Sequence, residues 1–198
     1  MERLILARHA ESVFSARAVI SGDPDACGGL TAAGRAQAAV LGDRLRGERV
    51  DLAATSSFRR AQETADLALE GRAVPRLVVP DLDDIRVGSF EGGPLQAYRD
   101  WAWAHGPLEQ APGGGESRAE AVERFARGFR LLLDRDEESV LHVGHSLPLR
   151  YVLNAAAGRD PRARSELVDN AAAEILGAEA VETAVARLER WCASPAFA

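Results

Sequence analysis

Apolar positions along the chain follow two rhythms in turn. Continuous apolar runs at RLILAR (3–8), DLAATSS (51–57) and SVLHVGH (139–145) predict strands buried on both faces. PRLVVP (75–80) predicts a further short strand, with bounding prolines that suit a sheet edge. Helical spacing fills the intervals. LTAAGRAQAAVLGDRLRG (30–47) reads as a helix with Thr31 as N-cap and Gly47 as its stop. FRRAQETADLALEG (58–71) and RAEAVERFARGFRLLLDRD (118–136) read as amphipathic helices. LPLRYVLNAAAG (147–158) is a helix with Pro148 in its first turn, where a missing N–H is tolerated.

This alternation predicts an α/β fold, a three-layer α/β/α sandwich around a mostly parallel sheet. Residues 81–95 hold no period and read as a loop. Residues 96–117 begin as a helix and turn Pro/Gly-rich, an excursion placed to cover a site. In the tail, Val181, Ala184, Val185, Leu188 and Trp191 fit a helix, but Val181, Thr183 and Val185 also alternate, and both readings stay open. No repeat or low-complexity linker divides the 198 residues, of which 46% are hydrophobic. The expectation is one domain over 1–198 with a lid-like excursion at about 94–117.

Composition narrows the function by exclusion. A net charge of -6 argues against a general nucleic-acid or anionic-membrane binder, so any anion site must be local. All 24 basic residues are arginine, which codon bias explains, so only placed arginines carry information. Cys27 and Cys192 are too few for a disulfide framework. The opening MERLILARHA is not a secretory leader, and no apolar run reaches membrane-spanning length. These features predict a cytoplasmic protein and leave assembly into a homo-oligomer open.

In an open α/β sheet, ligands bind outside the carboxyl ends of the strands. Three predicted strands end in groups that packing explains poorly: Arg8-His9, TSSFRRAQETA (55–65) and VGHSLPLR (143–150). Two histidines and one or two arginines converging on one point suit a phosphate monoester. Arginine forks fit phosphate oxygens, and a neutral imidazole can attack phosphorus. An acid for the leaving oxygen is offered by Asp81, Asp83 or Asp84.

Taken in order, LARHAES (6–12) is similar to L-x-R-H-G-E, TSSFRRAQETA to T-S-x-L-x-R-A-x-x-T, and LDDIRVGSFEG (82–92) to L-x-E-x-x-x-G-x-W-E-G. PGGGES (112–117) resembles P-G-G-E-S, and VLHVGHSLPLR (140–150) a strand carrying a second histidine. These are motifs of the histidine phosphatase superfamily, the group that contains the cofactor-dependent phosphoglycerate mutases, and the resemblance covers roughly residues 3 to 155. It implies a phosphoglycerate mutase-like fold with His9 as nucleophile, Arg8 and Arg60 as phosphate clamps, and His145 as a hydrogen-bond donor to the phosphoryl group. Asp84 falls at the acid position. Ser15 and Ser21 fall where relatives carry an asparagine and a glutamine that touch phosphate or substrate. The implied activity needs no cofactor or metal, and the implied partner is a small phosphorylated metabolite.

The departures from the pattern are specific. Ala10 and Ser146 stand where glycine is usual, and Asp84 replaces a glutamate, shortening the acid by one methylene. The family also implies a hairpin over about 168–192, against the helical look of that tail. His142 lies on the opposite strand face from His145, which favours a core position over a metal pair. Trp101, Trp103 and His105 read as a hydrophobic anchor of the excursion rather than as substrate contacts.

Three rival functions are weighed. GHSLP (144–148) approximates an esterase elbow, but no histidine follows Ser146 to complete the Ser, acid, His order. A weakened acid would suit a phospho-ligand binding module. A mutase would need extra cations for a second phosphate, and the excursion offers one arginine, Arg99. The expectation is therefore a phosphatase of small phosphate monoesters acting through phosphohistidine.

Overall fold

The computed structural model describes every residue except 27, 165 and 198, so Cys27 lies outside it. Five strands form one sheet in the order β3-β2-β4-β1-β5: β1 (Arg3–Arg8), β2 (Leu52–Thr55), β3 (Arg76–Val78), β4 (Ser139–Gly144) and β5 (Ala173–Gly177). The pairs β1–β4, β2–β4 and β2–β3 are parallel, and β1–β5 is antiparallel. β4 thus lies between β1 and β2, although it follows both in the chain.

Both faces of the central strands are buried, which is why their sequences are continuously apolar. Leu4 and Leu6 of β1 and Leu52 and Ala54 of β2 face a core shared with α4 (Arg118–Leu133), α5 (Ser146–Ala156) and α6 (Ala178–Ala193). Ile5, Ala7, Ala53, Leu141 and Val143 face the other layer, built from α1 (Ala32–Arg44) and α2 (Arg59–Ala68). α3 (Leu95–Ala104) belongs to the excursion.

Local chemistry sets the helix starts. Thr31 Oγ1 accepts the Gly34 N–H at 2.9 Å. Ser117 and Glu120 form a reciprocal capping box on α4. Gly34 is required by contact: a Cβ there would lie 2.0 Å from the Glu11 carbonyl oxygen, two residues past His9. The first turn of α1 is therefore pressed against the loop that follows β1.

The tail resolves the two open readings. One strand, β5, pairs with β1, and a helix follows, so the hairpin implied by the resemblance is absent from 168–192. Val181, Ala184, Val185, Leu188 and Trp191 are all buried while Thr183 is exposed, so the 3.6-residue period prevails over alternation. No helix among the described residues is long and apolar enough to cross a membrane.

Candidate active site

Four parallel strands deliver their carboxyl ends to one place. β1 leads to His9, β2 to Ser56 and then Arg60 in the first turn of α2, β3 to the loop holding Asp84, and β4 to His145. β1 and β4 pair Arg8 with Gly144, and the His9 N–H donates to the Gly144 carbonyl at 2.9 Å. The next residue of each strand is then a histidine, and the two rings sit edge to face with centroids 5.3 Å apart.

The tautomer of His9 follows from its contacts. Nδ1 lies 2.8 Å from the Ala10 carbonyl oxygen, which can only accept, so Nδ1 carries the proton. Nε2 therefore presents a lone pair, and Arg60 Nε donates to it at 3.2 Å. Burial, then the nearby charges of Arg60 and Arg8, hold the ring well below its ordinary pKa and keep it neutral. Thr64 fixes this arrangement: its hydroxyl accepts the Ala10 N–H at 3.0 Å and donates to the Arg60 carbonyl at 2.7 Å.

Arg60 is 4% exposed and lies in the middle of the group. Nη2 donates to the Ser21 carbonyl at 3.0 Å and points at His145 Nδ1, 3.3 Å away. Its guanidinium stacks 4.1 Å over the Phe58 ring. Burial lowers even this guanidinium to a pKa of about 10, opposed by Asp84. Arg59, one residue earlier, is exposed and pairs with Glu63 at 2.8 Å.

His145 is fully buried, with Nε2 2.8 Å from the Ser56 hydroxyl. A hydroxyl can donate or accept, so Ser56 can hold either neutral tautomer while Nδ1 faces Arg60 Nη2 and Asp84 Oδ2. Burial and then Arg60 keep His145 well below its ordinary pKa. Of the three candidate acids, only Asp84 reaches this cluster, with Oδ2 3.7 Å from His145 Nδ1 and 3.9 Å from Arg60 Nη2. Asp83 instead accepts the Ser57 N–H at 2.6 Å, and Asp81 pairs with Arg127. Burial raises the Asp84 pKa against the opposing pull of Arg60, which favours a protonated carboxyl.

Arg8, His9, Ser15, Ser21, Arg60 and Asp84 line one cavity. Arg8 Nη1 donates to the Val168 carbonyl at 2.8 Å, while its Nε is buried without a partner. The two serines differ. Ser21 contacts Arg60, whereas the Ser15 hydroxyl is engaged with Ser12 in its own turn. His145 lies behind this wall, and His142 lies in the core against Phe129, as its place in the strand predicts.

A second cavity of about 110 Å³ adjoins the first across Asp84 and Ser21. Its walls include Tyr98, Arg99 and Trp103 of α3, Arg118 at the start of α4, and Leu167 from the segment after α5. Trp103 therefore belongs to the site, while Trp101 and His105 stack on each other at 4.6 Å outside it. The lining also holds two arginines where the excursion by itself suggested one. Sequence reasoning missed Ser56, Thr64, Tyr98 and Arg118. The first two lie inside the motif and carried a signal, but Arg118 is indistinguishable in sequence from a solvated helix residue.

Residues 4–190 match the model for "Histidine phosphatase superfamily (branch 1)". The chain is 34% identical over 177 residues to a 2,3-bisphosphoglycerate-dependent phosphoglycerate mutase of a Methylobacterium species, covering 80% of this chain and 82% of that one. It is 33% identical over 155 residues to an adenosylcobalamin/alpha-ribazole phosphatase of Salmonella typhimurium, covering 72% and 73%. The crystal structure of the alpha-ribazole phosphatase from Shigella flexneri superposes with a TM-score of 0.75 at 29% identity, covering 87% of this chain and 89% of that one.

Proposed function

The chain belongs to the histidine phosphatase superfamily, and from that membership we propose that it hydrolyses small phosphate monoesters through a phosphohistidine formed on His9. The observation that carries this reading is the held tautomer of His9. With Nδ1–H fixed on the Ala10 carbonyl, the lone pair is on Nε2 at the edge of a cavity walled by Arg8 and Arg60, where it accepts from Arg60 Nε until a phosphate draws that guanidinium to itself.

In the first transfer, His9 Nε2 attacks phosphorus, the bond from phosphorus to the ester oxygen breaks, and the departing alkoxide takes the Asp84 proton. Arg8, Arg60 and His145 hold the other three oxygens, with Ser56 donating to His145 Nε2 so that Nδ1–H can donate to the phosphoryl group. In the second, water attacks phosphorus and gives its proton to the Asp84 carboxylate. The P–N bond breaks, phosphate leaves, and the neutral ring returns. Guanidinium and imidazole supply the positive charge, so the reading expects activity that survives chelator. A cytoplasmic setting fits substrates that are small phosphorylated metabolites.

The mutase reading shares the first transfer. It requires that either of two phosphates reach His9, and so a leaving-group wall as cationic as the phosphate pocket. The wall here sets Arg99 and Arg118, as many guanidinium groups as the phosphate pocket holds, among Ile20, Leu95, Trp103, Leu147 and Leu167; it is the apolar share of this lining, not a shortage of charge, that favours an organic group and hydrolysis. Two measurements test the proposal. Acid-labile, base-stable 32P labelling should occur in the wild type and vanish in His9→Ala, with turnover lost almost completely; labelling that persists in the variant refutes the nucleophile. Incubation with 3-phosphoglycerate and a trace of the 2,3-bisphosphate should release inorganic phosphate. Fast formation of the 2-phospho isomer without release would assign a mutase.

A further inference from the structure

Arg118 is buried without a counter-charge. It is 8% exposed, and no carboxylate of the described residues lies within 4 Å of its guanidinium, since it takes part in none of the ion pairs. Nη1 donates to the Tyr151 hydroxyl at 2.8 Å, and Nε is buried with no partner. The hydroxyl of Tyr98, itself 4% exposed, faces the same guanidinium, so two phenols and no carboxylate surround Arg118. Arg124, on the same helix and equally buried, shows what a structural arginine looks like. It makes two bonds to Glu116 at 2.9 and 2.7 Å and donates to the carbonyls of Asp83 and Asp84. An interior guanidinium lacking such partners is costly unless an anion completes it.

The place of Arg118 says which anion. It lines the cavity beyond Asp84 and is absent from the wall of the cavity that holds Arg8 and His9, so it faces the leaving group rather than the transferring phosphate. Ile20, Leu95 and Leu167 line both cavities, and Leu147 lines the one that holds Arg118. We propose that Arg118, with the Tyr98 hydroxyl, is the specificity element of this enzyme. It binds a carboxylate carried at the far end of the leaving group, separated from the phosphate ester by an apolar stretch. One guanidinium and one phenolic O–H supply donors for the two oxygens of a single carboxylate. Tyr151 fixes the guanidinium, and its own hydroxyl donates to the Arg162 carbonyl at 3.2 Å. Burial lifts Tyr98 to a pKa of about 12, so its hydroxyl stays a donor.

This inference rests on the phosphatase reading, and the test separates the two. Phenyl phosphate and 4-carboxyphenyl phosphate differ only by a carboxylate opposite the ester. The wild type should favour the carboxylated ester by at least about tenfold in kcat/KM, the scale of a hydrogen bond to a charged group. In Arg118→Met the ratio should fall to near unity, in Arg118→Lys it should be partly restored, and in Tyr98→Phe, which removes one hydroxyl, it should drop severalfold. Thermal melts identify a variant that fails to fold, and Tyr98→Phe then carries the test. Turnover of neither ester by the wild type would overturn the phosphatase reading. Turnover of both with no preference, or a preference intact in folded Arg118→Met, would overturn the role of Arg118 alone.

Discussion

At the scale of single residues, the loss of one methylene at Asp84 is met by position. The shorter acid still brings Oδ2 to 3.7 Å from His145 Nδ1 and borders both cavities, so it can serve the ester oxygen between them. The proposed mechanism asks for opposite states of two groups, a neutral His9 and a protonated Asp84. The structure lowers the first pKa and raises the second, chiefly by burial in both cases. As pH falls through the His9 pKa the nucleophile is lost, and as pH rises through the Asp84 pKa the acid is lost. A profile of kcat/KM should therefore be bell-shaped and weighted to the acid side of neutrality. In Asp84→Asn the alkaline limb should flatten and the rate should drop by roughly 10²-fold, leaving the acid limb in place. An unchanged alkaline limb would remove Asp84 from the acid role. Ser56 acts one step away, by holding the His145 ring. Ser56→Ala should lower kcat by about tenfold with little change in KM, and Ser56→Thr, which keeps the hydroxyl, should recover most of it. A rise in KM alone would mean that Ser56 acts on binding and not on the ring.

Among the elements, β4 carries two histidines with opposite duties. His145 ends the strand in the site, while His142 is sealed between Leu6 and Ala54 of the neighbouring strands and the Phe129 ring, with neither ring nitrogen hydrogen-bonded. Gly144 gives it room, since a Cβ there would lie 2.4 Å from His142 Nε2. Burial lowers His142 to a pKa of about 4 from 6.5. Between those values the unfolded chain takes a proton that the folded one refuses. Stability present above pH 6.5 is thus lost as pH falls toward 4 and is lost no further below it. The ring should cost on the order of 3 kcal/mol over that interval. Urea unfolding at pH 7 and pH 4.5 should show a smaller acid loss for His142→Leu than for the wild type. Equal losses would mean that other groups dominate. The same elements show what sequence can reveal. β1, β4 and the helices α1, α2, α4 and α5 were readable because a strand buried on both faces and a helix buried on one leave different apolar periods; α6 was not, because Val181, Thr183 and Val185 also alternate. β5 was not, because an edge strand with Glu174 and Ile175 exposed leaves neither. The strand ends were readable as a site because charge at the end of an apolar run has no packing reason. Tyr98 and Arg118 were not, because their burial depends on how α3 and α4 meet across the cavity, a contact between segments that local pattern does not encode.

For the molecule as a whole, the site is closed by two segments that reach it from opposite directions. The excursion supplies Tyr98 and Trp103, and the stretch after α5 is drawn in by bonds from Arg8 and Arg150 and by the Val168 N–H to Ser146 Oγ. They meet where Arg164 lies 4.9 Å over the Trp103 ring. Arg164→Ala should raise KM for aryl phosphates about two- to fivefold with a smaller effect on kcat, the scale of one exposed cation–π contact. An unaltered KM would show that the contact does not shape the cavity. A different consequence follows from the sheet order, in which the strand that presents His9 lies between β4 and β5. Its neighbours are residues 139–144 and 173–177, so the first strand made on the ribosome can be flanked only by the last two. Until both are made it is an unpaired apolar ribbon, and the high sequence separation of its pairings implies slow folding. The proposed nucleophile, His9, therefore precedes both flanking strands in the chain and gains its surroundings only after them, so a chain that lacks β4 and β5 should be catalytically silent.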